Sequence, residues 1–379
     1  MSVALAKRLD ELYTSGDFDG LKANAALIDR NTDLPHLLRY RGLVELFSSE
    51  ADGMILLESS SALGDNLSRR IIQCIRELKL SRESNVTFQL LRAAVDLNVL
   101  RGSVYLEYPK EVSIETQAVC NAACTFCPYP TMERKGQKMS DDLLDKIITD
   151  LHEIPSDVKF GIAPFKVSDP FLDKRIFDLS KRINNELPNA DLRFFTNGAP
   201  LTDKNIEKLR EIENISHLWI SLNDSNPERY EDLMGISFTK TIERMDSLHK
   251  VVKDGYPHEV CVSRVQDFTT GDQEFLDFIR NRYPLFRAMV TKRSNWVGQV
   301  STEIDETVPP LACGRWFELS IMATGKVALC CMDGDGKHII GDVSSQSVLE
   351  IYNTPGYKKM RQFLSSRKGA ASPCDTCNL

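Results

Sequence analysis

Three cysteines fall within eight positions of one another in "CNAACTFCPYP", residues 120–130. Cys120, Cys124 and Cys127 form Cys-x3-Cys-x2-Cys, one thiolate short of the four that close a structural zinc site or a fully ligated iron–sulfur cluster. The set reads as a zinc loop, as three unrelated buried thiols, or as a site that holds three irons of a [4Fe–4S] cluster. In the last case the fourth iron has no protein ligand and is open to a small molecule.

A second set lies far along the chain. Cys313 is followed by Gly325-x4-Cys330, and then by Cys374-x2-Cys377. Four thiolates from a hairpin and a C-terminal knuckle can close around a tetrahedral ion or a cube, and spacing leaves zinc and iron–sulfur both open. Cys331 adjoins Cys330, and neighbours on a strand point to opposite faces, so Cys331 is expected to be a packed thiol. Cys74 and Cys261 sit in apolar periodic segments and read as buried core thiols. The histidines show no metal-ligand spacing.

The elements that must position these sets follow from periodicity. Residues 1–100 read as an all-helical domain, with a turn around Gly16 in "ELYTSGDFDG" and no clean repeat period. Residues 101–300 alternate strand and helix. The expected strands are Glu111–Thr116, Val158–Ile162, Asp191–Phe195, His217–Leu222, Glu259–Val265 and Phe286–Thr291. Six βα units imply a parallel sheet whose chemistry gathers at the C-terminal strand ends, where the first cysteines lie. Residues 301–379 form a third, small module: a hairpin turning at Thr324-Gly325, a helix-like stretch, and the final Cys-x2-Cys.

The chain has 379 residues, 42% hydrophobic and 27% charged, ordinary values for a soluble globular protein. A net charge of −7 gives no electrostatic reason to bind nucleic acid or an anionic membrane. The first residues lack the apolar run of a signal peptide, and no stretch approaches a membrane span. The expected location is the cytoplasm, where close cysteine pairs point to metal or redox chemistry rather than to disulfides.

With Phe126 before its last cysteine, the first motif resembles that of the radical S-adenosylmethionine superfamily. The resemblance implies a partial (β/α)6 barrel and a [4Fe–4S] cluster held by Cys120, Cys124 and Cys127. It also implies S-adenosylmethionine chelating the open iron and a 5′-deoxyadenosyl radical that abstracts hydrogen from substrate. Where many members carry Gly-Glu-Pro, this chain has Ser168-Asp169-Pro170. Thr196-Asn197-Gly198 resembles the family's Thr-Asn-Gly, and Ser221 and Asn223 lie where the ribose is usually contacted. Phe126, Ser168, Asp169, Asn197, Ser221 and Asn223 are thus the implied S-adenosylmethionine contacts.

The second set then resembles a twitch or SPASM-like auxiliary-cluster module. It implies a second [4Fe–4S] cluster on Cys313, Cys330, Cys374 and Cys377, and the ending is similar to the 2-deoxy-scyllo-inosamine dehydrogenase type. By that resemblance Arg293 is a substrate contact; Asp333, two residues past Cys331, either accepts the released proton or caps the turn in "MDGDGKH". Lys166 and Trp296 are further pocket candidates.

The expected function is oxidation of a small polar molecule of the sugar, cyclitol or nucleoside type. The auxiliary cluster would accept the electron, and a flavodoxin- or ferredoxin-type donor would prime the reaction. The alternatives are peptide crosslinking or epimerisation, and a non-catalytic metal-binding scaffold. The helical domain is a candidate contact for a carrier protein or partner.

Overall fold

A computed structural model describes residues 2–80, 86–301 and 307–379, in two compact units, 1–103 and 104–379. In the first unit six helices follow one another: α1 (Ser2–Ser15), α2 (Phe18–Ala25), α3 (Pro35–Glu45), α4 (Glu50–Ala62), α5 (Asn66–Leu80) and α6 (Phe88–Arg101). The break between α1 and α2 falls at Gly16, whose φ of 77° is left-handed. Leu9, Leu21, Leu57 and Ile71 are wholly buried, and α3 is buried on nearly every side from Leu37 to Glu45, which makes it the centre of this core.

In the second unit six parallel strands lie in chain order: β1 (Glu111–Ile114), β2 (Phe160–Ala163), β3 (Ala190–Thr196), β4 (Ile215–Ser221), β5 (Glu259–Val265) and β6 (Arg287–Thr291). Helices α7 (Asp141–Leu151), α8 (Ile176–Glu186), α9 (Asp203–Arg210), α10 (Pro227–Met234), α11 (Phe238–Lys253) and α12 (Thr270–Arg282) connect them. Ser140, Thr202 and Asn226 cap α7, α9 and α10 by accepting from backbone N–H groups in the first turn, as short polar residues do at a helix start.

Along β3, and along β4 from His217 onward, alternate residues are fully and partly buried. Leu192, Phe194, Leu218 and Ile220 are the fully buried set. The partly buried set, Arg193, Phe195, His217 and Trp219, shares the other face, because strand side chains alternate.

The sheet does not stop at β1. Strand β7 (Glu318–Ile321) pairs with β1 in parallel, and β8 (Lys326–Ala328) and β9 (Ile339–Asp342) continue it antiparallel, giving nine strands. The β7–β8 turn falls at Thr324-Gly325, with Gly325 at φ 86°. The helix-like stretch that follows is two short helices, α13 (Val348–Tyr352) and α14 (Pro355–Phe363), interrupted where Pro355 has no N–H to give.

Candidate active site

The first three cysteines leave β1 on a loop that lies against the end of α10. Ala123 N donates to Met234 O at 2.9 Å and Thr125 N to Leu233 O at 3.0 Å. Gly235 makes this approach possible: its φ is 69°, and a Cβ there would meet the Ala123 Cβ at 3.2 Å.

Cys120, Cys124 and Cys127 line one cavity of about 510 Å³. Burial pushes Cys120 up to about 11 and Cys127 up to about 12; Cys124 is raised too, with its two neighbours adding to burial. Around Cys120 Sγ the contacts are soft donors, Ala122 N at 3.5 Å and Asn197 Nδ2 at 3.8 Å.

Of the residues matched to S-adenosylmethionine, Phe126, Ser168, Asp169, Asn197 and Ser221 line the same cavity. Asp169 is 1% exposed. Its Oδ2 accepts from Thr196 Oγ1 at 2.7 Å and Asn197 N at 2.9 Å, and its Oδ1 from Phe171 N at 3.1 Å. Burial pushes it up to about 6. The shorter carboxylate thus orders the Thr-Asn-Gly turn, and Asn197 reaches from that turn to Asn121 Oδ1 at 2.8 Å.

Three expectations change. Asn223 is fully buried and is not on the cavity wall. It donates to Ser221 Oγ at 2.8 Å and accepts from Val265 N at 2.9 Å, a left-handed turn residue with its amide satisfied inside the protein. Asp333 is also fully buried and absent from the wall, and both oxygens are taken, Oδ1 by Lys337 N at 2.9 Å and Oδ2 by His338 N at 2.8 Å. It caps its turn and is not poised to take a substrate proton. Arg293 stands off the wall, while its neighbours Lys292 and Ser294 are on it.

Sequence reasoning missed the aromatic floor. Phe165, Phe195, His217 and Trp219 all line the cavity. Phe165 stacks on Phe195 at 4.5 Å, and Phe195 meets His217 at 5.6 Å and Trp219 at 5.7 Å. Burial, with Arg193 beside it, lowers His217 from its usual 6.5, so the ring is neutral near pH 7. Trp219 Nε1 donates to Ser263 Oγ at 2.8 Å. A period-two reading of β3 and β4 could have found this wall, since 195, 217 and 219 share one strand face.

The second cysteine set comes from three segments. Cys330 has Cys331, then Lys166 and Cys313, as charge neighbours, Cys313 has Cys377, and Cys374 has both Cys313 and Cys377. Trp316 hydrogen-bonds Cys374. Burial raises Cys313, Cys330 and Cys374, the last to about 11. Cys331, beside Cys330, also has Arg315, Glu318 and Lys166 as charge neighbours. Cys74 and Cys261 are each 2% exposed. Among the described residues no three His, Cys, Asp or Glu side chains close on a single metal ion. The two sets are defined by a shared cavity wall and by mutual charge effects. Dry clusters of thiols with raised proton affinity need cations to balance them as thiolates, which suits iron–sulfur ligation.

One buried node links the halves. Glu115 (0% exposed) pairs with Arg134, whose Nη2 is 2.9 Å from Oε1. The same carboxylate accepts from Val167 N at 3.3 Å and Ala323 N at 3.2 Å, while Arg134 Nε donates to Gly334 O at 2.7 Å. At the other side Asn378 Oδ1 accepts from Asn295 N at 3.1 Å, holding the last cysteines beside the 294–297 segment.

Residues 114–280 match the Radical SAM superfamily, and residues 313–378 match the SPASM iron-sulfur cluster-binding domain. The chain carries a radical SAM domain followed by a SPASM domain. The first implies a [4Fe–4S] cluster and S-adenosylmethionine, the second additional iron–sulfur ligation.

No curated protein matches the chain. Among solved structures, BtrN in complex with AdoMet and 2-DOIA is similar at 16% identity over 71% of this chain and 93% of that one, with a TM-score of 0.51. Streptococcus suis SuiB bound to its precursor peptide SuiA is similar at 14% identity over 86% and 85%, with a TM-score of 0.55. These likenesses concern the fold. Among the described residues no helix is long and apolar enough to cross a membrane.

Proposed function

We propose that this chain is a radical S-adenosylmethionine oxidoreductase that oxidises a small polar molecule by two electrons. Within the sugar, cyclitol and nucleoside range, a substrate with a flat ring, of nucleoside type, fits best. The supporting observation is a single cavity wall. It joins Cys120, Cys124 and Cys127, the aromatic floor, and Arg315 and Met332, which flank the second cysteine set in sequence.

In this reading Cys120, Cys124 and Cys127 hold the S-adenosylmethionine-binding cluster, and Cys313, Cys330, Cys374 and Cys377 the auxiliary one. When bound, these groups supply hydrogen-atom abstraction and a one-electron sink. The chain does the rest. Ser168, Asn197 and Ser221 offer polar contacts to S-adenosylmethionine, and Asp169 keeps the Asn197 turn in place. The aromatic floor stacks on a ring and excludes water. With Asp333 committed to its turn, the imidazole of His217 is the wall's acceptor for the proton that the oxidation releases. A flavodoxin- or ferredoxin-type protein supplies the priming electron, and helices α1–α6 offer a surface for a partner.

The test is anaerobic reconstitution, with iron counted and 5′-deoxyadenosine measured under dithionite against panels of nucleosides, cyclitols and peptides. About eight irons per chain is expected for two cubane clusters. A nucleoside should raise deoxyadenosine formation and lose two hydrogens by mass. Turnover of peptides alone would overturn the substrate reading.

A further inference from the structure

Arg315 lines the cavity from the short turn Gly314–Phe317 that leads into β7, and its guanidinium is only partly used. Nη1 donates to both oxygens of Glu318, at 3.1 Å and 2.9 Å. Among the described residues no acceptor meets Nε or Nη2, and 41% of the side chain is exposed. The Nε–Nη2 edge is the flat fork that matches two oxygens of one carboxylate or phosphate. An arginine also keeps its charge at every working pH, so these donors are always on offer.

The protein's own carboxylates do not fill that edge. Of the two among its charge neighbours, Glu318 holds Nη1, and Glu111 is bonded to Arg193 Nη1 at 2.6 Å. On the wall itself Asp169 is the one carboxylate side chain among the described residues, and Thr196, Asn197 and Phe171 take its oxygens. Lys166 is turned to Ser320 Oγ at 2.9 Å and to the carbonyls of Cys330 and Cys331 at 3.0 Å and 3.3 Å. Lys292 adds a further cation to the wall, while Arg293, the arginine expected at the substrate, stands off it. The cavity that holds the aromatic floor thus also holds an oriented two-donor edge.

We propose that Arg315 is a specificity-determining residue that binds an oxyanion on the substrate, so that the substrate class is an anionic nucleoside. This rests on the reading of the aromatic floor as the seat of a flat ring. The base stacks on the floor, and two oxygens of the anion accept from Nε and Nη2. Glu318 keeps the guanidinium in place from the other side. A phosphate and a carboxylate share this chemistry, and the test separates them. A neutral nucleoside would leave the edge to water.

The experiment is anaerobic calorimetry on the reconstituted full-length chain with S-adenosylmethionine bound. Adenosine, guanosine, cytidine and uridine are each compared with their 5′-monophosphate and their 5′-carboxylate. Wild type, Arg315→Gln and Arg315→Lys are measured, with iron counted in each. In wild type at least one base should bind at least about tenfold more tightly as an anion than as the neutral nucleoside. The tighter of the two anions identifies the group that the site takes. In Arg315→Gln that ratio should fall below about threefold, with Arg315→Lys, a charge without the fork, in between. Formation of 5′-deoxyadenosine should follow the same order.

Equal binding of neutral and anionic nucleosides in wild type overturns the proposal while the nucleoside reading stands, and it needs no variant. An anion advantage that survives in iron-loaded Arg315→Gln overturns it too. If Arg315→Gln does not load iron, a reduced ratio in Arg315→Lys supports the proposal and an unchanged one overturns it. Failure of both variants to load makes Arg315 a structural part of the second site and overturns it. If no nucleoside binds in either form, the reading of the floor fails, and the proposal falls with it for that separate reason.

Discussion

The two cysteine sets of this molecule are built in opposite ways. The first is local: eight consecutive residues on one loop, pinned to α10 by two backbone hydrogen bonds. The second is assembled from Cys313, five residues ahead of β7, the residues after β8 and the turn at 374–377, and it exists only once β7 has joined β1. A local site depends on a turn; an assembled one depends on the whole domain's packing. The radical-generating site should therefore tolerate damage to the C-terminal module, whereas the second site should fail when the joint between the halves is disturbed.

The largest effect tests that asymmetry directly. Cys124→Ala should abolish 5′-deoxyadenosine formation. Cys374→Ala should retain it while losing about four irons and product formation. Equal loss of deoxyadenosine in both variants would erase the distinction.

Next in size is the node between the halves. Glu115→Ala leaves Arg134 buried without its partner and frees the Val167 and Ala323 amides, so unfolding of this unit should be easier by about 3–5 kcal/mol. Denaturant titration of the metal-free chain measures it, and a change under about 1 kcal/mol would mean that Glu115 is no keystone.

Asp169→Ala removes the acceptor of Asn197 N and Thr196 Oγ1, at a cost of about 1–3 kcal/mol. Calorimetry should show S-adenosylmethionine binding weakened more than iron loading. The reverse order would place Asp169 with the cysteine loop rather than with the cofactor pocket.

The smallest effect is at Asp333. Asp333→Asn keeps an acceptor for one of the two turn amides and should cost about 1 kcal/mol in thermal unfolding, with deoxyadenosine formation and product yield near wild type. His217→Phe should instead lose product while keeping the aromatic floor. Loss of product in Asp333→Asn would restore the role that its burial denies it.

How far these sites can be read without coordinates follows the same divide. Cys120, Cys124 and Cys127 were legible because a loop motif is contiguous. Strand β5 was legible to the residue, since Glu259–Val265 is bounded by turns and rich in β-branched residues. For Asp333 the sequence left proton acceptor and turn cap both open, because it shows a carboxylate near a ligand but not that two amides have claimed it. Arg293 was misjudged by position, since one residue's shift along an irregular segment decides which of 292, 293 and 294 meets the cavity.

The sequence by itself determined the helical start, the six alternating strands, the radical SAM motif, and four further cysteines at suitable spacing, because periodicity and motif spacing are local properties of the chain. Only the tertiary structure decided that β7 extends the sheet beside β1, that Phe165, Phe195, His217 and Trp219 form one wall, and that the buried Lys166 bonds the carbonyls of Cys330 and Cys331. Those facts depend on strand register and on side chains far apart in sequence. A register is fixed by which faces bury together, and burial is a property of the assembled domain.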